Sequence, residues 1–299
     1  MRYEAQFQLV VLTSWRPCSI ISCVFFRRLG DKSTNKQQSR TETGVVGGLH
    51  LDQSCREGIG KTRIGTCGFG MAQAEYARRF SCVEVQQTFY EPPSLKTLSR
   101  WRREMPADFE FTLKAWQLIT HQAKSPTYRR LKRKLSETEK AEAGYFGATE
   151  LVNEAWRVTR AAARALKAQK VLFQCPSSFN QSPENIARME RFFCSIDREG
   201  LSLLWEPRGA WDAETVKSIC ARLELCHVVD PFSGTTVTPD KYYFRLHGKS
   251  GWRYQYGLNE LKELARSIVK SERGYVFFNN SKMTEDALRF CKLLGQTNE

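Results

Sequence analysis

Eight short apolar runs, each ending on a polar or charged residue, divide the chain between residues 64 and 280. The clearest are residues 242–248 (YYFRLHG), which end with Arg245 and His247, and residues 275–280 (YVFFNN). A buried parallel strand reads as such a run, and polar groups at the carboxyl ends of parallel strands face the ligand-binding edge of barrels and open α/β sheets. The pattern therefore predicts an α/β fold with its functional site at one edge of the sheet.

Helical patterns separate most of these runs. The predicted strands are residues 63–68, 82–87, 109–115, 170–175, 201–206, 226–231, 242–248 and 275–280. The predicted helices are residues 72–80, 94–104, 144–168, 182–195, 213–223, 258–271 and 283–294. This alternation favours a closed (β/α)8 TIM-type barrel, with an open doubly wound sheet as the competing topology. The connection over residues 230–242 is too short and too rich in turn residues for a full helix, which predicts one degenerate crossover.

The first sixty residues do not conform to this pattern. No hydrophobic period persists there, and the apolar stretch at residues 18–26 is shorter than the roughly 20 residues that a membrane span needs. We expect residues 1–62 to be a poorly ordered extension, and residues 63–295 to form a single TIM-barrel domain.

The charge of the chain favours anionic partners. The formal net charge is +14, and residues 96–140 hold twelve Lys and Arg against five acids. The basic run at residues 124–134 is interpreted either as a solvated surface or as an arm that follows the phosphates of a nucleic acid, since clustered cations release counterions on binding.

The cysteines and glycines exclude several classes of protein. The ten cysteines form no Cys-x-x-Cys pair and lie mostly in apolar runs, which indicates reduced thiols in a cytoplasmic protein. No segment has the glycine pattern of a dinucleotide-binding turn or of a phosphate-binding loop, so we expect neither NAD nor a P-loop nucleotide.

Three carboxylates, Glu84, Glu206 and Asp230, end apolar runs, and His247 follows another. At the mouth of a barrel, burial and mutual repulsion separate the pKa values of such groups, so Glu84, Glu206 and His247 are the candidate catalytic residues. Glu206, Asp230 and His247 are also the candidate ligands of one divalent metal. The alternative is that the acids are structural and pair with arginines.

A second set of residues has the chemistry to bind a substrate. Arg208 and Arg245 suit a carboxylate or phosphate, because a guanidinium holds two oxygens at once. The loop at residues 249–257 interleaves aromatic and cationic residues, which either stack against a ligand or pack as a lid. The candidate substrate-binding residues are Lys114, Gln174, Arg208, Asp230, Arg245, Tyr256 and Asn279.

Histidine content limits the metal chemistry. Besides His247, only His121 and His227 lie in the predicted barrel, and His121 is a second candidate for the mouth. His227 begins a predicted strand and is expected at the opposite end or in the core. A site for three metals needs more histidines than these, whereas one metal is compatible with the sequence.

The order of several fragments resembles a known family. Residues 63–294 contain GTCGFG, YARRFSCVEVQQTFY, WRREMPADFEFTLKA, VLFQCPSSF, LLWEPRGAW, YYFRLHG and YVFFNN in succession, and this resembles the YecE-like family, domain-of-unknown-function family 72. The resemblance implies an eight-stranded (β/α) barrel and supplies no reaction; metal-dependent endonucleases with a similar barrel are the usual analogy. The family pattern is carried by Glu84, Glu206, Arg208, Asp230, Arg245, His247 and Asn279. Cys67 stands where the family usually has serine.

Three functions are compatible with these residues. The leading hypothesis is a hydrolase-like enzyme that acts on a polar or anionic substrate, bearing phosphate or sugar, at the C-terminal face of the barrel. The second is a nucleic-acid-binding or endonuclease-like protein that uses residues 124–134. The third is a barrel that binds a small ligand without catalysis.

Overall fold

Eight parallel strands form the frame of the computed structural model, which describes residues 62–268 and 274–296. The strands are β1 (Arg63–Thr66), β2 (Cys82–Val85), β3 (Glu110–Lys114), β4 (Lys170–Gln174), β5 (Ser202–Glu206), β6 (Leu225–Val229), β7 (Tyr243–Leu246) and β8 (Tyr275–Phe278). Their order in the sheet is β1-β8-β7-β6-β5-β4-β3-β2, and every pairing is parallel. The sequence prediction of a TIM-type α/β barrel is confirmed. Apart from Thr62, the expected extension over residues 1–62 lies outside the described residues.

Helices surround the strands. They are α1 (Gln73–Arg79), α2 (Gln87–Tyr90), α3 (Leu95–Glu104), α4 (Gln117–Thr120), α5 (Glu137–Glu142), α6 (Glu150–Leu166), α7 (Pro183–Ser195), α8 (Ala213–Arg222), α9 (Leu258–Ser267) and α10 (Met283–Gln296). Between β6 and β7 the chain forms only a short 3-10 turn, Pro239–Lys241, so the predicted degenerate crossover is confirmed. None of the helices in the described part of the chain combines the length and the apolarity needed to cross a membrane.

The period of two in each strand separates two layers of the core. In β4, Val171 and Phe173 pack against the helices, whereas Leu172 faces the interior of the barrel. The interior is filled by side chains from six strands, namely Cys82, Leu172, Leu204, Val228, Tyr243, Tyr275 and Phe277, together with Cys67 just after β1. The barrel is therefore a packed core, and the polar side chains at the carboxyl ends of the strands lie above this layer.

The longest helix begins later than the sequence predicted. A helix from residue 144 was expected, but Gly144, Tyr145 and Phe146 have φ values of +86°, +53° and +52°, which no right-handed helix accommodates. The helix α6 starts instead after Thr149, whose hydroxyl accepts a hydrogen bond from the backbone N–H of Val152 at 3.3 Å. The prediction was wrong there, because a glycine and two aromatic residues in the left-handed region were not visible in the periodicity.

At the seam between β1 and β2 the barrel is closed mainly by the side chain of Tyr76, because the two strands form no extended ladder of backbone hydrogen bonds. These strands share an isolated bridge between Cys67 and Glu84. The hydroxyl of Tyr76, on α1, accepts from the backbone N–H of Thr66 at 2.9 Å and donates to the carbonyl of Cys82 at 3.0 Å. Gly65 permits the close approach, since a Cβ there would lie 2.5 Å from the Cys82 carbonyl oxygen.

Tyr76→Phe should weaken this seam. The ring would still pack, but the Cys82 carbonyl and the Thr66 N–H would be buried without their partner, which costs about 1–3 kcal/mol. Urea unfolding measures the loss, with Tyr145→Phe as the matched control because the Tyr145 hydroxyl bonds Ser178 at the surface. Equal stabilities of the two variants would contradict the role assigned to Tyr76.

Candidate functional site

Polar side chains from five strands meet at the C-terminal mouth of the barrel. Glu84, Lys114, Gln174, Glu206 and Arg245 lie at or near the ends of β2, β3, β4, β5 and β7. Register brings them together, as Gln174 lies directly beside Glu206. We call these five residues the mouth cluster. All five were predicted as site residues, and the structure brings all five into one connected network.

Arg245 lies at the centre of the mouth cluster and is fully buried. Its Nε donates to Glu84 Oε1 at 3.1 Å, and its Nη1 donates to Gln174 Oε1 at 3.0 Å and to Glu206 Oε2. Its Nη2 lies 2.9 Å from Glu84 Oε1 and donates to Cys67 Sγ at 3.6 Å. Every guanidinium nitrogen therefore has a partner inside the protein, and Arg245 has no donor directed at a ligand.

Glu84 forms the closed side of the network. Its Oε2 accepts from the Tyr243 hydroxyl at 2.6 Å, and its Oε1 accepts from Gln86, Cys67 and Arg245. Burial and the neighbouring carboxylate raise the pKa of the Cys67 thiol well above its ordinary value, so this thiol acts as a neutral donor. Glu84 has no exposed surface, which leaves it without direct access to a ligand in this conformation.

Glu206 forms the open side. Its Oε1 lies 2.7 Å from Arg208 Nη2, while its Oε2 accepts from Arg245. Burial of the carboxyl opposes ionisation, but the charges of Arg245 and Arg208 outweigh it and hold the pKa of Glu206 well below its usual range. Arg208 keeps 34% of its side chain exposed, so it faces both Glu206 and solvent.

His247 lies against Glu206 and Asn279. Its Nδ1 lies 2.9 Å from Asn279 Nδ2, and its Nε2 lies 3.0 Å from Glu206 Oε1 and 2.5 Å from Arg208 Nη2. Burial lowers the pKa of His247, and the charges of Arg245 and Arg208 act in the same direction against the opposing effect of Glu206. The site therefore holds an ionised carboxylate beside a neutral imidazole at pH 7.

Lys114 is a buried amine on the other side of the mouth cluster. Its Nζ donates to Gln174 Oε1 at 3.0 Å and lies 3.8 Å from the centre of the Phe89 ring. Burial, with a contribution from the charge of Arg245, lowers the pKa of Lys114 to about 7. Nearby His121 is also buried, and burial lowers its pKa to about 3. Its imidazole is therefore neutral beside Lys114 at pH 7.

Two predicted binding residues hold loops in place. Asp230 Oδ2 accepts from the backbone N–H of His247 at 2.9 Å, and Oδ1 accepts from that of Phe232 at 3.0 Å. The buried hydroxyl of Tyr256 accepts from the N–H of Gly248 at 2.8 Å, with its ring stacked on Phe232. In this structure, both residues position the loop that carries His247.

A cavity of about 470 Å³ opens beside the mouth cluster at the ends of β5, β6 and β7. Its lining includes Glu206, Arg208, Trp211, His227, Asp230 and His247, together with turn residues 233–235. His227 lies nearer this end than expected, and burial lowers its pKa to about 4 while its Nδ1 accepts from the Val237 N–H. A larger cavity of about 630 Å³ faces the opposite end, beside Arg63, Glu110 and Lys170. Active sites of such barrels lie at the C-terminal face, so the cavity beside Glu206 is the candidate.

The candidate metal ligands do not fit a cation well. Arg208 and Arg245 occupy the space around the Glu206 carboxylate, and both oxygens of Asp230 accept from backbone N–H groups. In the described segments 62–268 and 274–296, no group of three or more His, Cys, Asp or Glu has the arrangement of a metal site. The guanidinium groups hold the positions next to Glu206 where a cation would have to bind.

Sequence analysis missed several members of this network. Tyr243 lies two residues before Arg245 on β7, so the period of a strand could have placed it on the same face. Cys67 and Gln86 each form a hydrogen bond with Glu84, but neither residue type indicates such a contact from the sequence. Phe89 was invisible as a site residue because an aromatic side chain in a short helix is indistinguishable from core.

The basic segment at residues 124–134 lies in the connection after β3, at the same face as the mouth. Arg133 is held by Glu139 and Glu154, and the Arg130 guanidinium lies 3.5 Å from the centre of the Tyr90 ring. Its exposed cations are Lys124, Arg129, Arg130, Lys132 and Lys134. Across the mouth, in the loop after β7, Trp252 is 63% exposed.

Comparison with known proteins agrees with this architecture. The model of the family described as "Protein of unknown function DUF72" matches residues 72–299. The curated protein "UPF0759 protein YecE" of Escherichia coli K12 is 45% identical over 49 residues, a match that spans 16% of this chain and only 18% of that protein.

Solved structures share the barrel over most of its length. A DUF72 family protein from Enterococcus faecalis superposes with a TM-score of 0.59 at 23% identity, covering 78% of this chain and 97% of that one. SacUVDE superposes with a TM-score of 0.53 at 7% identity, covering 79% of this chain and 99% of its own. At such identities the likeness concerns the fold alone.

Arg245→Met should be the most destabilising change in the mouth cluster. It leaves Glu84 and Glu206 buried without their shared counter-charge, and breaking a buried ion pair in this way costs about 3–5 kcal/mol. Urea unfolding measures the loss. Adding Glu84→Gln to Arg245→Met should recover part of it, because one of the two stranded charges is then removed.

Arg222→Met is the matched control for this prediction. Arg222 pairs with Glu190 on the surface, where an ion pair contributes about 0–1 kcal/mol. A loss in Arg245→Met no larger than in Arg222→Met would mean that the buried network is not a principal source of stability.

Proposed function

The chain belongs to the DUF72 family, whose description names no reaction, so we propose a function from the site alone. We propose that this protein is an enzyme that binds a small anionic substrate at the mouth of the barrel and uses His247 as acid and base. The observation that carries the proposal is the contact of ionised Glu206 with neutral His247, beside Arg208, at the edge of a cavity of about 470 Å³. Titratable groups with perturbed pKa values in a cleft are the usual mark of such sites.

The dimensions of the cavity support a small substrate. Small-molecule sites commonly occupy about 300–1,000 Å³, and this cavity lies in the lower half of that range. Its lining is mixed, because it includes the apolar Trp211 and Val216 as well as charged groups. A ligand with one apolar side and one anionic group would satisfy both.

His247 is suited to proton transfer through Nδ1. With its proton on Nε2, the ring would donate to Glu206 Oε1, 3.0 Å away, and a carboxylate in that position orients the ring and stabilises the imidazolium that forms when the other nitrogen takes a proton. Asn279 donates to Nδ1 in the structure, so a substrate hydroxyl or water would replace this amide. The proton would then return from Nδ1 to a leaving group, as in hydrolytic chemistry.

Arg208 is the proposed anion-binding group. One side of its guanidinium contacts Glu206, and the exposed part faces the cavity. Charge-assisted bonds from a guanidinium to a carboxylate or phosphate are stronger than neutral ones and also orient the bound anion. Arg245 is assigned a supporting role, because its donors are satisfied by Glu84, Glu206, Gln174 and Cys67.

The remaining predicted site residues take indirect roles in this proposal. Glu84 holds Arg245, Arg245 fixes the charge and position of Glu206, and Gln174 links Arg245 to Lys114. The loop that presents His247 is held by Asp230 and Tyr256, and its ring by Asn279.

His247→Gln tests catalysis. The glutamine keeps a hydrogen-bonding side chain but cannot carry a proton, so any activity found with chromogenic phosphate and carboxylate esters should fall by about 10²-fold or more. In the wild-type protein that activity should be lost as the pH falls through the lowered pKa of His247, because the base is then already protonated. Unchanged activity in His247→Gln would refute the assigned role.

Arg208→Gln tests anion binding separately. Calorimetric titration with inorganic phosphate should show binding to the wild-type protein that weakens by about tenfold or more in this variant, since a charge-assisted bond contributes about 1.5–3 kcal/mol. Arg222→Gln, on the surface of α8, is the control and should bind as wild type. Phosphate binding that Arg208→Gln leaves intact would contradict the role of Arg208, and binding without turnover of any ester would favour a non-catalytic barrel.

A nucleic acid is the second candidate ligand, favoured by the exposed cations of residues 124–134 and by Trp252 across the same face. The guanidinium carbon of Arg253 lies 5.2 Å from the centre of the Trp252 ring, a pair able to stack on a base. These groups flank the mouth, so a strand bound between them would cross the cavity.

Salt dependence tests this second candidate. Fluorescence anisotropy with a labelled single-stranded DNA should show affinity that falls steeply between about 50 and 200 mM salt. Lys132→Glu combined with Lys134→Glu should weaken binding and flatten that slope, whereas Lys217→Glu on α8 should not. A DNA affinity that does not change with salt, or that is unchanged in the double variant, would exclude nucleic-acid binding by residues 124–134.

A further inference from the structure

Lys114 is a buried amine that the acid and base chemistry of His247 does not use. It is the last residue of β3, is 4% exposed, and points into the mouth cluster beside Gln174. A lysine so placed would normally be explained by an ion pair with a neighbouring carboxylate. The two carboxylates of the cluster are committed elsewhere.

Both carboxylates have full sets of other partners. Glu84 accepts from Tyr243, Gln86, Cys67 and Arg245. Glu206 is bound by Arg245, Arg208 and His247. Across the described ranges 62–268 and 274–296, Lys114 forms no ion pair, and its polar contact is the Gln174 amide oxygen.

The surroundings of Nζ match an amine better than an ammonium. An ammonium needs acceptors for three N–H groups, whereas a neutral amine has two and a lone pair. Gln174 Oε1 accepts one N–H at 3.0 Å, and the face of Phe89, 3.8 Å away at its centre, receives the other. The same Gln174 oxygen accepts from Arg245, which brings a second positive charge close to Nζ and further disfavours protonation.

We infer that Lys114 is a nucleophilic amine that forms an imine with a small carbonyl compound carrying an anionic group, such as a 2-oxo acid. This inference rests on the proposed function for the anionic part, which Arg208 would hold. It adds the substrate class and a covalent step. Desolvated lysines in clefts are activated nucleophiles of this kind because their lone pair is free at neutral pH.

The step balances without a further reactant. Nζ attacks the carbonyl carbon, the new C–N bond forms, and the carbonyl oxygen becomes a hydroxyl. Loss of that hydroxyl as water, with both protons supplied by the amine nitrogen, leaves the C=N bond. No oxidant or reductant takes part. The neutral imine becomes an iminium by taking one proton from solvent, and Glu84 and Glu206 lie close enough to stabilise that charge, as they do that of Lys114.

Reductive trapping tests the inference on the intact wild-type chain. The protein is treated at pH 7 with glyoxylate and cyanoborohydride, which converts an imine to a stable carboxymethyl amine, and peptide mapping by mass spectrometry locates the product. An exposed lysine with a pKa near ~10.4 is neutral in only about one molecule in a few thousand at this pH. Lys114, with its pKa of about 7, should therefore be modified at least about tenfold faster than the exposed Lys124, Lys132 and Lys134 of the same sample.

Equal modification of Lys114 and of the exposed lysines would overturn the inference. Lys114→Arg, which keeps a cation and cannot form an imine, should lose the fast-reacting site and no other. A fast site that survives in Lys114→Arg would place the reactive amine elsewhere and would equally overturn it.

A parallel reaction separates this inference from the proposed function. Arg208→Gln should slow the trapping of glyoxylate by about tenfold or more while leaving that of neutral glycolaldehyde unchanged. Trapping of glyoxylate at Lys114 that is equally fast in Arg208→Gln would contradict the anion site at Arg208 and support the nucleophilic amine of Lys114. Phosphate binding that depends on Arg208, with no selective trapping at Lys114, would support the anion site and contradict the amine.

Discussion

The buried ion-pair network around Arg245 is the interaction on which the functional end of this barrel depends. One guanidinium with no exposed surface serves Glu84 on one side and Glu206 on the other. Two buried carboxylates so close together would otherwise repel each other. Arg245 pairs with both, and it thereby joins β7 to β2 and β5 across the interior.

The network divides the mouth into parts with different roles. Glu84 is enclosed by Tyr243 and Cys67, whereas Glu206 meets the half-exposed Arg208 and His247 at the cavity. Burial lowers the pKa of His247, and the charges of Arg245 and Arg208 that keep Glu206 ionised act in the same direction, so the imidazole remains neutral. Burial and the charge of Arg245 also lower the pKa of Lys114 to about 7 against the opposing effect of the two carboxylates, so a large share of Lys114 is an amine at neutral pH.

The barrel was predictable from the sequence because each strand has a recognisable local sequence pattern. Apolar runs with polar ends, and capping residues such as Ser94 and Ser182, are short-range signals that the structure retains. The prediction was wrong at the start of the longest helix, where the N–H groups of the left-handed residues Gly144 and Phe146 donate to the carbonyls of Leu118 and Ile119 in α4.

The site was predictable in its members and not in its connections. Strand ends and family resemblance pointed to Glu84, Glu206, Arg245 and His247, and the structure gathers them at one mouth. The sequence does not show which acceptor each donor will find, and Arg245 was therefore expected to bind a ligand. In the structure its nitrogens instead donate to Glu84, Glu206 and Cys67. The state of Lys114 depends equally on those three-dimensional contacts.

The protonation state of His247 tests the central claim most directly. The chain has four histidines, so ¹⁵N NMR of histidine-labelled protein resolves them, and His247→Gln assigns the signal. We expect a neutral ring at pH 7, titrating below the ordinary pKa of 6.5. An imidazolium at pH 7 would contradict the arrangement of Arg245, Glu206 and His247 on which the account rests, and a neutral ring protonated on Nδ1 would contradict the proposed proton transfer through Nδ1.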